Sequence, residues 1–185
     1  GEYDETTQTY RLNLKQSLKA NAKYPNLKAV PIPVALALFD AASGEQLVLE
    51  SEALVENAVK DGVYLFEQNE ASIEFKNVMT KPVVSLLRNF SAPVNLEFNY
   101  SDEDLAFLLQ YETNGFNQWQ ATQTLLERIL LNGHSSDIYV QAMKNALPEV
   151  IKKDPLLASR LFDVPTEGYL GSRIDANYNP LEIQE

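Results

Sequence analysis

His134 is the one histidine of the chain, and hydrolytic zinc chemistry asks for more than one. An H-E-x-x-H helix sets two imidazoles one turn apart, with a glutamate between them to activate water. His134 follows Gly133 in a loop and reads as a solvated residue. Asp102, Glu103 and Asp104 bring three carboxylates together. They lack the alternating oxygen ligands, central glycine and closing glutamate of a calcium loop, and negative charge at a helix start explains them more simply. Ser91 and Ser101 have no histidine placed to activate them, and no G-x-S-x-G elbow occurs. Glycine-rich phosphate loops of either common spacing are absent as well. The aromatic residues Phe90, Phe98, Tyr100, Tyr111, Phe116 and Trp119 offer faces for a sugar, yet their alternation and helical spacing read as core and inter-domain packing. The residues therefore yield no catalytic, cofactor-binding or metal-ligating candidate.

Composition narrows the remaining classes. With 185 residues the chain suits one large domain or two small ones, and it can bury most of what its unfolded form exposes. The absence of cysteine removes disulfides, thiolate metal sites and thiol nucleophiles together. The formal net charge is −11, and no basic run is longer than Lys152-Lys153, which argues against nucleic acid and anionic membranes as partners. No apolar run approaches the roughly 20 residues of a bilayer span. The polar, acidic start GEYDETTQ is unlike a signal peptide, so a soluble protein is expected.

Periodicity divides the chain near Tyr100 and Ser101. Before that point the expected strands carry Tyr10 to Leu14, Val34 to Phe39, Leu47 and Leu49, Val63 to Glu67, Ser72 to Phe75, and Val83 to Leu87. A seventh carries Val94, Leu96, Phe98 and Tyr100, alternating with Asn95, Glu97 and Asn99. Gly1 to Thr9 reads as frayed, Asn21 to Pro33 as an extended connection with three prolines, and Glu52 to Lys60 as either a helical turn or an irregular excursion. Seven short strands in about one hundred residues match an immunoglobulin-like antiparallel β-sandwich over 1–100.

From Ser101 the period becomes helical. Ser101 and Asp104 form a capping box ahead of Leu105, Leu108 and Leu109, and Asn114-Gly115 stops that helix. A second helix carries Phe116, Trp119, Leu126, Ile129 and Leu130 as far as Asn132-Gly133. Ser135-Ser136 can cap a third from Asp137 to about Lys152, which Pro148 is expected to kink or to end in its regular part. Asp154-Pro155 starts a fourth, and Thr166-Glu167 a short one through Arg173. Asn179-Pro180 announces a helix only a few residues before the last residue, which reads as truncation. Residues 101–185 are thus expected to be the first antiparallel helices of an α-solenoid, itself incomplete.

One long run carries a family likeness. Phe75-Lys-Asn-Val78, Pro82, Ser85-Leu-Leu-Arg-Asn-Phe-Ser-Ala-Pro-Val94, Ser101-Asp102, Phe107-Leu108 and Asn114-Gly-Phe-Asn-Gln-Trp119 resemble the bacterial aminopeptidase N family of zinc metallopeptidases. Pro31-Ile-Pro-Val34, Leu38-Phe-Asp40 and Asp154-Pro-Leu-Leu-Ala158 are similar too, so the likeness covers nearly the whole chain. In that family a β domain, a thermolysin-like catalytic domain, an immunoglobulin-like domain and a large helical domain follow one another. The resemblance implies that this chain is the third unit and the opening of the fourth.

It also implies that the zinc ligands, the G-x-M-E-N amine motif and the catalytic tyrosine lie in the preceding domains. None has a matching position here, so the chain alone is expected to be inactive and to hold no metal. The parent would be a cytoplasmic zinc aminopeptidase. There the metal polarises the scissile carbonyl and activates water, while glutamates hold the free α-amine. This segment would join the catalytic domain to a helical domain that covers the active site. Its partners would be the missing domains and, through them, peptide substrates, with self-association through exposed interface surface. Trp119 is expected to be buried between sandwich and helices, so that its loss costs on the order of 3–5 kcal/mol. The rival expectation is a free-standing β-sandwich module for adhesion or protein interaction, and a carbohydrate-binding module would need several coplanar exposed aromatics.

Overall fold

A computed structural model of the chain describes residues 1–18, 28–49 and 59–173. These fall into two compact units, Gly1–Leu96 and Glu97–Glu185.

The first unit is all β. Its strands are β1 (Glu2–Asp4), β2 (Thr9–Lys15), β3 (Ile32–Phe39), β4 (Val63–Phe66), β5 (Glu70–Phe75) and β6 (Val83–Leu86). They form two antiparallel three-stranded sheets, ordered β1-β2-β5 and β4-β3-β6. Register follows from alternation. Tyr10 opposes Phe75 and Leu12 opposes Ile73, all four buried on one face. On the other face Arg11 meets Glu74 at 2.9 Å and Lys15 meets Glu70 at 2.7 Å. A slip of one residue would exchange these two faces, so the buried side fixes the pairing. In β3, Leu36, Ala37, Leu38 and Phe39 are all buried, as is every residue of β6, which marks the second sheet as the more enclosed. Each large apolar side chain sealed in this way contributes about 1.5–3 kcal/mol.

The second unit is helical: α1 (Asp102–Tyr111), α2 (Gly115–Asn132), α3 (Asp137–Lys153), α4 (Pro155–Arg160) and α5 (Glu167–Arg173). The capping box at its start is complete. Asp104 N–H donates to Ser101 Oγ at 3.0 Å, and Ser101 N–H donates to Asp104 Oδ2 at 2.9 Å. Helix α1 packs against both α2 and α3, burying Leu105, Leu108 and Leu109 with Leu125, Ala142 and Ala146. Asn114 caps α2 by accepting from Asn117 N–H, and Gly133 ends it in the left-handed conformation at φ 67°. Asp154 Oδ1 accepts from Leu157 N–H at 2.9 Å and so starts α4. Tyr169 and Arg173 fasten α5 to Glu127 of α2, at 3.1 Å and 2.9 Å.

Several expectations change. Glu2–Asp4 is a paired strand, held further by Tyr3 Oη donating to the Val78 carbonyl at 2.9 Å. The expected strand at Leu47 and Leu49 shrinks to a single bridge, Phe39 to Gln46. Val94 to Tyr100 is no strand: its described residues pair with nothing in a sheet, and Val94 and Leu96 are exposed. Helix α3 spans Asp137–Lys153, close to its expected extent, and its regular part does not end at Pro148. Pro148 is on the exposed face, so water can take the carbonyl that its missing N–H leaves. Expectations for Glu52 to Lys60 and for Asn179-Pro180 fall largely or wholly outside the described residues, as does much of Asn21 to Pro33.

Candidate functional site

His134 is in the loop where the sequence puts it, but it is not idle. Its Nδ1 is 2.5 Å from Asp102 Oδ2, and Arg128 Nη1 is 2.7 Å from Asp102 Oδ1. Asp102 is the first residue of α1, Arg128 belongs to the last turns of α2, and His134 follows the Gly133 cap. Burial pushes the Asp102 carboxyl upward, but the hydrogen bonds from Arg128 and His134 outweigh it and hold the group below its ordinary value. Two potential ligands with a guanidinium already on one of them do not make a zinc site. Among the described residues no three or more His, Cys, Asp or Glu are grouped to hold a metal ion, so the donors present do not fit zinc.

The serines have structural employment. Ser91 Oγ accepts from Ala35 N–H at 3.1 Å, and Ser101 is committed to its cap. Glu103 is exposed and Asp104 completes the capping box, so the acidic trio divides between a cap and an ion pair.

The aromatic residues do not all join the core. Phe90, Tyr111 and Phe116 are exposed and Trp119 is half-buried, which overturns the full burial expected for Trp119. The pairs Phe98–Tyr100, Phe107–Tyr111 and Phe116–Trp119 are tilted by 40–50°, so none presents the flat platform a sugar face needs.

Phe116 and Trp119, one turn apart on α2, instead form one wall of a groove of about 550 Å³. Leu156 and Leu157 of α4 form the other wall, and Asp154, Arg160 and Asp163 complete its lining. The approach of the two helices is close. A Cβ at Gly115 would meet Leu157 Cδ2 at 3.0 Å. Arg160 Nη1 and Asp163 Oδ2 pair at 3.1 Å. Sequence reasoning singled out Trp119 but none of the α4 residues in this role, because the groove joins positions about 40 residues apart and no local pattern encodes that. No helix among the described residues is long and apolar enough to cross a membrane.

Comparison with known proteins gives a consistent answer along the chain. Residues 1–99 match the family described as a domain of unknown function, DUF3458, with an Ig-like fold. Residues 102–185 match its companion DUF3458_C, described as ARM repeats. Aminopeptidase N of Escherichia coli is 31% identical over 100% of this chain, which spans 22% of that relative. Aminopeptidase N of Haemophilus influenzae is 30% identical over 89% of the chain and 19% of the relative. A solved structure of Legionella pneumophila aminopeptidase A in complex with aspartic acid superposes with a TM-score of 0.77 at 25% identity, covering 99% of this chain and 20% of that one. The two sheets are thus an Ig-like antiparallel fold and the helices after them are ARM-like repeats. The chain belongs to the aminopeptidase N family and carries its DUF3458 Ig-like and ARM-repeat regions.

Proposed function

We propose that this chain is a non-catalytic part of a larger zinc-dependent aminopeptidase that removes N-terminal residues from peptides. In this reading residues 1–100 are the Ig-like unit and 101–185 the first helices of a longer helical domain. Together they connect the catalytic domain to the helices that cover the active site. The zinc and the substrate-binding groups belong to other domains of the parent, which works in the cytoplasm, and the chain alone does not hydrolyse peptides.

The observation that carries the reading is one of proportion. Relatives called aminopeptidase N match all or nearly all of this chain, yet the chain spans only about a fifth of their length. Exposed Leu156, Phe162 and Val164 agree with surface that other domains cover.

The test is to recover the native product with an antibody against this segment and measure its intact mass and peptidase activity. A product several times heavier, whose aminopeptidase activity is lost to a chelator and restored by zinc, is the expected result. A native product of 185 residues would sink the reading and leave a free-standing interaction module.

A further inference from the structure

We propose that the groove between α2 and α4 is the docking site for a segment of the parent polypeptide outside these 185 residues. That segment presents an apolar side chain beside a lysine or arginine. The inference rests on the reading that a longer parent exists, and adds where and by what chemistry the rest of that parent attaches.

Three observations converge on this occupant. First, the walls are apolar and open. Phe116 and Leu156 are exposed, Leu156 by 69%, and Trp119 is half-buried beside them. Large aromatic and aliphatic side chains left together in water forfeit the free energy of burial that a partner covering them would supply. Second, the rim is acidic. Asp154 and Asp163 line the groove; Arg160 offsets Asp163 by pairing with it, and the carboxylate of Asp154, whose Oδ1 caps α4, is the net negative charge that is left. A basic group next to the inserted side chain would complete this arrangement, whereas an acidic one would be repelled.

Third, the charge argues against a second copy. Residues 97–185 carry fourteen acidic and six basic side chains, against twelve and nine in residues 1–96. The excess that makes the whole chain −11 is therefore concentrated in the helical unit, and apposing two such surfaces brings like charges together. What remains is the other four-fifths of the length found in the relatives, tethered to this chain and so present at high effective concentration. A tethered occupant needs little intrinsic affinity, which agrees with a groove that is open and shallow rather than a closed pocket.

Side-chain accessibility in the complete parent tests this directly. Hydroxyl radicals are applied to the parent and, in parallel, to the 185-residue chain, and oxidation at Trp119 is read by mass spectrometry of the peptide that contains it. Trp119 is the sole tryptophan of the chain, so the product is unambiguous. We expect oxidation about fivefold slower in the parent, as for a side chain moved from a rim to an interface core. Leu156→Asp, at a position exposed enough to keep the fold, is expected to return the rate in the parent toward that of the isolated chain.

Phe116 replaced by p-benzoylphenylalanine, in a mixture of isotopically light and heavy parent, identifies the occupant after irradiation. The expected cross-link is within one polypeptide, to a segment outside these residues that carries an apolar side chain next to lysine or arginine. Equal oxidation in parent and chain, a cross-link between light and heavy copies, or a captured segment without a basic residue each overturns the proposal. A parent that protects Trp119 but has no zinc-dependent peptidase activity would remove the enzymatic reading and leave the docking site standing.

Discussion

Replacing Asp102 by alanine breaks the electrostatic tie between the two ends of the α1–α2 hairpin. The Asp102 side chain is 22% exposed and that of Arg128 26%, and their contact is 2.7 Å long. With opposite charges centred about 4 Å apart and an effective dielectric of about 20, the gross attraction is about 4 kcal/mol. Desolvation of both groups removes part of that, while the alanine variant strands Arg128 half-buried and deletes the His134 hydrogen bond. A net loss of about 2 kcal/mol is the outcome of these terms.

The assay is urea unfolding at neutral pH, followed by Trp119 fluorescence. That residue sits in α2, so its signal reports the helical unit. The pH dependence supplies a second reading. Asp102 is depressed in the folded state, so its contribution is fully present above the ordinary carboxylate value of about 3.9 and disappears as pH falls through the folded value. The gap between wild type and Asp102→Ala should therefore be widest near neutral pH and close on acidification. A loss under about 0.5 kcal/mol, the level of an ordinary surface pair, refutes the reasoning, and so does a gap that stays constant into strong acid.

Three further outcomes follow from the helical unit. Ser101→Ala deletes half of the capping box and should cost about 1 kcal/mol in the same unfolding assay, with Ser101→Gly closer to wild type. Gly133→Ala meets no atom within 4 Å but must adopt φ 67°, so it should lose about 1 kcal/mol through the backbone alone, and Gly133→Asn less. Leu109→Ala, at a fully buried position, should cost about 3 kcal/mol, whereas Trp119→Ala in the isolated chain should cost less than Leu109→Ala because part of the indole already faces water. Reversal of that last order, read by circular dichroism at 222 nm so that no tryptophan is needed, would show that Trp119 is buried in solution.

What the sequence disclosed was what local chemistry encodes. Ser101 and Asp104 are three residues apart, and their reciprocal bonds need nothing beyond that spacing, so the start of α1 was legible. Asp154 ahead of Pro155 was legible for the same reason. Val94 to Tyr100 shows the limit. Its alternation is a strand's, but a strand also needs a neighbouring edge, and alternation does not supply one. Phe98 packs against Tyr100 in a tilted pair with ring centroids 4.5 Å apart, and Tyr100 N–H reaches back to the Phe98 carbonyl, so local contacts shape the end of this stretch. Glu2–Asp4 shows the converse, since nothing in three polar and aromatic residues announces a strand that pairing with Thr9–Arg11 creates. The groove and the Asp102 cluster were out of reach altogether, because their members are brought together by packing across 26 to 48 residues. The family likeness was legible along nearly the whole chain because it is carried by residues in order, not by their contacts.

The tie from Asp102 to Arg128 and His134 also bears on the order in which the chain acquires structure. It spans 26 and 32 positions, so the α1–α2 hairpin closes on itself without help from distant sequence. Because closing a loop of that length costs little entropy, and because helices elongate in nanoseconds per residue, this hairpin should form early, before sheet pairings such as Tyr10 with Phe75 that bridge 65 residues. During synthesis the sheet unit emerges first, yet its widest pairings are the slow ones. The helical hairpin, though later to leave the ribosome, is equipped to be complete while the sheets are still searching for register.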